Sequence, residues 1–167
     1  MNKNPYFYIG ENPTVDLIVI NPDDEVLMIT RSKNSAACPG MLAFPGGFID
    51  SRARQNEVWK EGLETPHQAA LRELAEETNL RLESNTELIS VGVYVGNSRD
   101  PRDSSLSWSK TYAFLHRIDH DTYEIVKDKI QGQDDADEAK WIKVSELRKM
   151  KLAFDHNLIL EDALKLL

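Results

Sequence analysis

The chain has 167 residues, with 20 Lys and Arg against 28 Asp and Glu, a formal net charge of −8. Such a length is most economical as one domain, 1–167, that buries roughly 70% of its unfolded surface. The negative balance argues against nucleic-acid backbones and anionic membranes as partners, and a single cysteine, Cys38, excludes an intrachain disulfide and any Cys-rich zinc site.

A reducing, cytoplasmic setting is therefore expected. The opening MNKNPYFYIGENP has no apolar run of signal-peptide type, and no stretch reaches the ~20 apolar residues of a membrane span. Residues 14–20 (TVDLIVI) and 25–31 (EVLMITR) are β-rich runs separated by Asn-Pro-Asp-Asp, which predicts a hairpin. Short strands at 41–44 and 48–49 flank Pro45-Gly46-Gly47, where a rigid residue before two permissive ones predicts a sharp bend. A helix opens at Thr65, whose hydroxyl can accept a first-turn amide. Pro66 suits the first helical position, and Gln68 completes a capping box. Ala70, Leu71, Leu74 and Ala75 form its apolar stripe, and Asn79, tolerant of the left-handed conformation, stops it. Residues 88–95, 111–118 and 139–144 are further strands. A helical turn at 145–147 precedes a last helix at 155–167, with Leu158, Ile159, Ala163 and Leu166 or Leu167 turned to the sheet. Strands interspersed with helices, without a regular βαβ period, predict an α/β/α sandwich around a mixed sheet.

The segment LRELAEETNL (71–80) gathers Glu73, Glu76 and Glu77 on one helix face, with the apolar stripe on the other. Each like-charged pair costs a helix ~0.2–0.5 kcal/mol, and carboxylates near a C-terminus oppose the macrodipole. Alone, the run reads as a solvated acidic face. A hard dication, Mg²⁺ or Mn²⁺, reverses the sign, because it takes carboxylate oxygens while binding substrate phosphates.

Glu64, seven residues, then Arg72-Glu73-Leu74-Ala75-Glu76-Glu77-Thr78-Asn79-Leu80 resembles the Nudix box, G-x5-E-x7-R-E-U-x-E-E-x-G-U with U a bulky apolar residue. Of the positions after the glycine only Asn79 departs, standing where the family has Gly. Gly46 to Asp50 resembles the glycine end of the box, yet sixteen residues separate Gly47 from Glu64 where the family has five. Eleven extra residues within 51–63 must loop out, a cheap change because closure cost grows logarithmically with length. Trp59 in that loop is read as packing it down. The box segments are thus 46–50 and 64–80. The resemblance implies a Nudix-type α/β/α sandwich that hydrolyses a nucleoside diphosphate linked to another group X. It implies catalytic roles for Arg72, Glu73, Glu76 and Glu77. A metal would be held by Glu73, Glu76, Glu77 and the Gly46 carbonyl, with Arg72 orienting Glu73. The general base is Glu73 or an acid of the loop 131–138, such as Asp135 or Glu138.

Residues 95–102 (VGNSRDPR) with Trp108 and Thr111, 132–141 (GQDDADEAKW) and 153–156 (AFDH) look similar to segments of ADP-ribose pyrophosphatases. Asp100 can accept from ribose hydroxyls, Arg102 can pair with phosphate, Trp108 can stack on adenine or ribose, and Phe48 can line the pocket. Against this, Asp-Pro-Arg is ordinary turn chemistry, and Trp108 and Phe48 suit core positions. His156 reads as a hydrogen-bonded or solvated first-turn residue, and His116 and His120 are not a zinc pair. The expectation is a Mg²⁺-dependent pyrophosphohydrolase acting on a small-molecule nucleotide, giving AMP and ribose 5-phosphate from ADP-ribose, with no nucleic acid or membrane partner and, by analogy alone, a homodimer. Rival readings are hydrolysis of an oxidised nucleoside triphosphate, a dinucleoside polyphosphate or NADH, and a non-catalytic ADP-ribose-binding module of a transcription regulator. The complete glutamate set weighs against the last, as does an expected absence of room for a DNA-binding domain.

Overall fold

A computed structural model describes residues 4–167; the first three residues of the segment read as lacking a leader lie outside the described residues. Among the described residues seven strands form one sheet: β1 (Gly10–Ile20), β2 (Glu25–Arg31), β3 (Leu42–Ala43), β4 (Gly46–Phe48), β5 (Ile89–Val95), β6 (Ser107–Arg117) and β7 (Ala136–Lys143). Four α-helices and one 3-10 turn (Lys127–Lys129) accompany them among the described residues: α1 (Pro66–Thr78), α2 (His120–Val126), α3 (Val144–Leu147) and α4 (His156–Leu164). The predicted hairpin is present, its turn held by the Asn21 side-chain oxygen, which accepts from the amides of Asp23 and Glu25. The sheet is mixed, since β1 runs parallel to β6 along its whole length while β5 and β6 are antiparallel.

β1 and β2 share only the Ile20↔Val26 register before they part. β2 then pairs with β3 and β7, while β4 lies antiparallel to β1 at Thr14 to Asp16. That divergence opens a cleft at the ends of the strands. The chain bends at Pro45 as predicted, while Gly46 and Gly47 already belong to strand β4, and neither glycine has positive φ. Glycine is needed there for close approach: a Cβ on Gly46 would stand 2.1 Å from the Val15 carbonyl oxygen, and one on Gly47 2.4 Å from Glu73 Oε1.

α1 packs Ala70 and Leu74 against Val15, Leu17 and Val19 on one face of the sheet, and α4 packs Ile159, Leu160 and Ala163 against Ile18, Ile20 and Leu115 on the other. The two layers make the α/β/α sandwich. α1 begins and ends as its sequence dictates: Thr65 accepts from the Gln68 amide, the capping box closes, and Asn79 sits at φ 63°. Such a cap contributes ~1 kcal/mol. α4 is shorter than expected, and Leu158, Leu166 and Leu167 are exposed while Leu160 takes the core position. The inserted loop is irregular and tied down: Trp59 Nε1 donates to the Ile49 carbonyl at 3.0 Å, and Val58 bridges to Ile9. No helix among the described residues is long and apolar enough to cross a membrane.

Candidate active site

Arg72 organises the acidic side of the cleft. Its Nε and Nη2 donate to Glu64 Oε2 and Oε1 at 2.6 and 2.9 Å, its Nη1 donates to Glu73 Oε1 at 3.0 Å and Glu76 Oε2 at 3.1 Å, and Nη2 also reaches the Phe48 carbonyl. One guanidinium thus binds three carboxylates and clamps α1 to β4. Burial pushes Glu64 up, but the Arg72 hydrogen bonds and the Asp50 amide outweigh it and hold the carboxyl below its ordinary value.

The three glutamates do not share one environment. Glu73 and Glu77, one helical turn apart, lie on the buried side of α1 with Ala70 and Leu74, whereas Glu76 faces outward with its side chain 44% exposed. The helix is rotated so that its 73/77 row meets the glycines of β4, which alone leave room for carboxylates between helix and sheet. Burial, opposed by Arg72, raises Glu73 to about 7. Burial together with the Glu73 charge raises Glu77 to about 9. Glu77 Oε2 is buried with no hydrogen-bond partner among the described residues. Such an orphaned acceptor is costly unless a proton or a cation meets it.

A cavity of about 510 Å³ opens beside these residues, within the size range of small-molecule sites, ~300–1,000 Å³. Its lining contains seven carboxylates, Asp16, Asp50, Glu73, Glu77, Asp100, Asp134 and Asp135, against Arg31, Arg99 and Arg102. The loop carrying Asp134 and Asp135 is fastened to the end of α1, with the Gln131 and Gln133 amides donating to the Thr78 and Glu77 carbonyls. Phe48, 39% exposed, also lines the cavity. Asp100 and Arg102 line it as well but are engaged with each other, Arg102 Nε and Nη2 donating to Asp100 at 3.0 and 2.7 Å. Burial opposes ionisation of Asp100, and Arg102 overcomes it, so the carboxyl stays below its ordinary value. The Arg102 guanidinium lies 5.1 Å from the Tyr6 ring and 5.7 Å from the Phe48 ring.

The structure does not bring every expected residue to the cavity. Trp108 falls on the opposite face of β6 from Ser109 and Thr111, because side chains alternate along a strand. Glu138 is on β7, 3.6 Å from Lys140, and neither it nor Glu76 is among the lining residues. Conversely, Asp16, Arg31, Arg99 and a buried His156 line the cavity without having been singled out as site residues. One signal for Asp16 was present: a lone acid inside the apolar run TVDLIVI is expensive to bury without purpose.

Among the described residues, no three His, Cys, Asp or Glu side chains converge as a ready-made metal cage. The donor chemistry nevertheless fits a hard dication. Glu77 offers an unpartnered oxygen, and Glu73 is adjacent. The β1–β4 ladder uses Pro45, Gly47 and Ile49, so the Gly46 carbonyl points to the free edge.

The NUDIX domain family matches residues 10–163. The chain belongs to the Nudix family. It is 28% identical over 153 residues to the ADPR responsive transcriptional repressor NtrR of Acinetobacter baylyi, covering 90% of this chain and 52% of that protein; it thus spans about half the length of that curated relative. The NUDIX domain of Shewanella oneidensis NrtR, solved with ADP ribose, superposes with a TM-score of 0.71 at 27% identity over 98% of this chain and 93% of that one. A bifunctional NMN adenylyltransferase/ADP ribose pyrophosphatase of Francisella tularensis, solved with AMP and a Mn ion, gives 0.66 at 26% identity, covering 96% of this chain and 42% of that one.

These relatives correct one expectation. Shewanella NrtR is also known as a complex with a 27mer DNA, at a TM-score of 0.64 and 28% identity over 90% of this chain and 59% of that one. A net negative charge therefore does not justify excluding nucleic acid as a partner for a Nudix protein of this type. The physical reason is that net charge averages over a whole chain, whereas phosphate contacts depend on a local basic surface.

Proposed function

We propose that this Nudix domain binds ADP-ribose and, with Mg²⁺ or Mn²⁺, hydrolyses its pyrophosphate to AMP and ribose 5-phosphate. The observation that carries the reading is the Glu73–Glu77 pair, two buried carboxylates of which Glu77 has an oxygen without a partner among the described residues, in a cavity whose charge would repel a pyrophosphate unless cations intervene. Glu73, Glu77 and the Gly46 carbonyl are the proposed ligands, with Glu76 available after release from Arg72. The dication supplies charge neutralisation at the pyrophosphate and a lowered pKa for an attacking water. Arg72 fixes the position of Glu73, Phe48 and Arg102 flank the nucleotide, and Glu73 or Asp135 takes the proton from water. The likeness to a domain solved with ADP ribose supports the choice of X.

A second reading is favoured by the repressor relatives and by the insertion between the two box segments: an ADP-ribose-responsive module that binds without turnover. Incubation of the purified protein with ADP-ribose and Mg²⁺, with and without chelator, separates the two. Metal-dependent AMP release supports the hydrolase, and saturable binding without AMP supports the sensor.

A further inference from the structure

On the α4 side of the sheet the cavity floor is polar in a way that pyrophosphate hydrolysis does not require. Asp16 on β1 is 8% exposed, and its Oδ2 lies 3.1 Å from His156 Nε2. His156 Nδ1 accepts the Phe44 amide at 3.2 Å, so Nε2 carries the proton and donates to Asp16. His156 is further fixed by stacking on Phe44 at 4.7 Å between ring centroids. Asp16 is therefore held rigidly by one oxygen. Its Oδ1 has no hydrogen-bond partner among the described residues and lies where a Cβ on Gly46 would come within 2.6 Å, beside the cavity that Asp16 lines. Next to it, Thr14 and Thr111 share a hydroxyl hydrogen bond at 2.5 Å, and Ser109 Oγ accepts from Arg99 at 2.9 Å, leaving its own proton without an acceptor among the described residues.

The chemistry of this floor narrows what it can meet. A carboxylate oxygen repels phosphate, and Arg99 is already occupied by Asp155 through contacts of 2.6 and 3.0 Å. A nucleobase needs a free ring face, but Phe44 is fully buried against His156 and the Phe154 ring is covered by Arg31 at 4.9 Å. Phe48, an exposed ring, is the cross-strand partner of Thr14 on this same face and stands at the edge of the floor with Tyr6 and Arg102, so a base stacked there leaves the hydroxyl-lined floor to another part of the ligand. What remains is an uncharged group rich in O–H donors and acceptors. Resting on the reading of this cavity as a nucleoside-diphosphate site, we propose that Asp16, positioned by His156, accepts a hydroxyl of a sugar at X, with the threonine and serine hydroxyls completing a polyol subsite. Asp16 is thus a specificity residue for the sugar end rather than a metal ligand.

The test compares two non-hydrolysable ligands, α,β-methylene ADP-ribose and α,β-methylene ADP, by calorimetry in Mg²⁺. Wild type should bind the first more tightly, and Asp16→Asn should lose ~10-fold or more on that ligand alone, since a hydrogen bond to a charged acceptor is replaced by a donor. The asparagine oxygen can still accept from His156, which keeps the fold intact. Thr111→Val, isosteric, should move the same ratio in the same direction if Asp16→Asn proves insoluble. Equal loss on both ligands, or a shifted Mg²⁺ requirement with an unchanged ratio, overturns the subsite. Failure of wild type to bind either ligand instead sinks the nucleotide reading on which it rests. Because only binding is read, the outcome does not depend on turnover.

Discussion

Arg72 and Glu64 form a two-pronged ion pair, 2.6 and 2.9 Å, that joins the body of α1 to the residue just before its cap. Glu64 also receives the Asp50 amide, so this pair fastens both ends of the inserted loop. Lysine keeps the charge but not the fork. Arg72→Lys should therefore cost about 1–2 kcal/mol of stability, discounted for partial exposure, and lower turnover ~10–100-fold with a smaller change in KM. Chemical denaturation and steady-state kinetics check both.

Glu77→Gln should abolish metal-dependent turnover while leaving the fold intact. The amide is nearly isosteric and carries no charge into the burial that raises Glu77 to about 9. The variant should be as stable as wild type, or more stable, in chelator at alkaline pH. Full activity in this variant would refute the metal assignment.

Stability of the metal-free protein should fall as pH rises. Glu73 and Glu77 have folded-state values near 7 and 9, both above the ordinary carboxylate value of 4.5, so the native state holds protons that the unfolded chain has released. Their contribution is fully present below about pH 4.5 and is lost through the window up to about 9, a direction opposite to that of an ion-paired carboxylate. Thermal melts in chelator from pH 6 to 9 should show a declining Tm. Adding Mg²⁺ should recover most of it at the alkaline end and release protons, measurable in weak buffer.

Asn79→Gly should be nearly neutral, and Asn79→Ala should cost about 1 kcal/mol. Asn79 closes α1 at φ 63°, where glycine is unstrained but alanine is not. The glycine variant forfeits the Asn79 side-chain bond to the Lys129 carbonyl, which offsets its conformational gain. Urea denaturation distinguishes the two.

Trp59→Ala should destabilise by about 2–3 kcal/mol and leave the KM for ADP-ribose within ~3-fold of wild type. The indole packs on the core under α1 and donates to the Ile49 carbonyl, and it is not among the residues lining the cavity. A large KM change at unchanged stability would show that the loop contacts substrate.

Local rules determined a good part of this protein before any tertiary contact was known. The Thr65 cap, the Asn79 stop and the β1–β2 hairpin depend on neighbours within a few residues, so their chemistry is written in contiguous sequence. The spacing of Arg72, Glu73, Glu76 and Glu77 likewise made the acidic helix legible. Other features were settled only by folding. Glu76 parts company with Glu73 and Glu77 because the rotation of α1 on the sheet is set by the glycines of β4, distant in sequence. Trp108 turns away from the cavity because the register of β6 against β1 decides which alternate residues face it. The pairing of Asp16 with His156 joins residues 140 positions apart, a contact set by packing α4 across β1 and therefore invisible to any rule of local spacing.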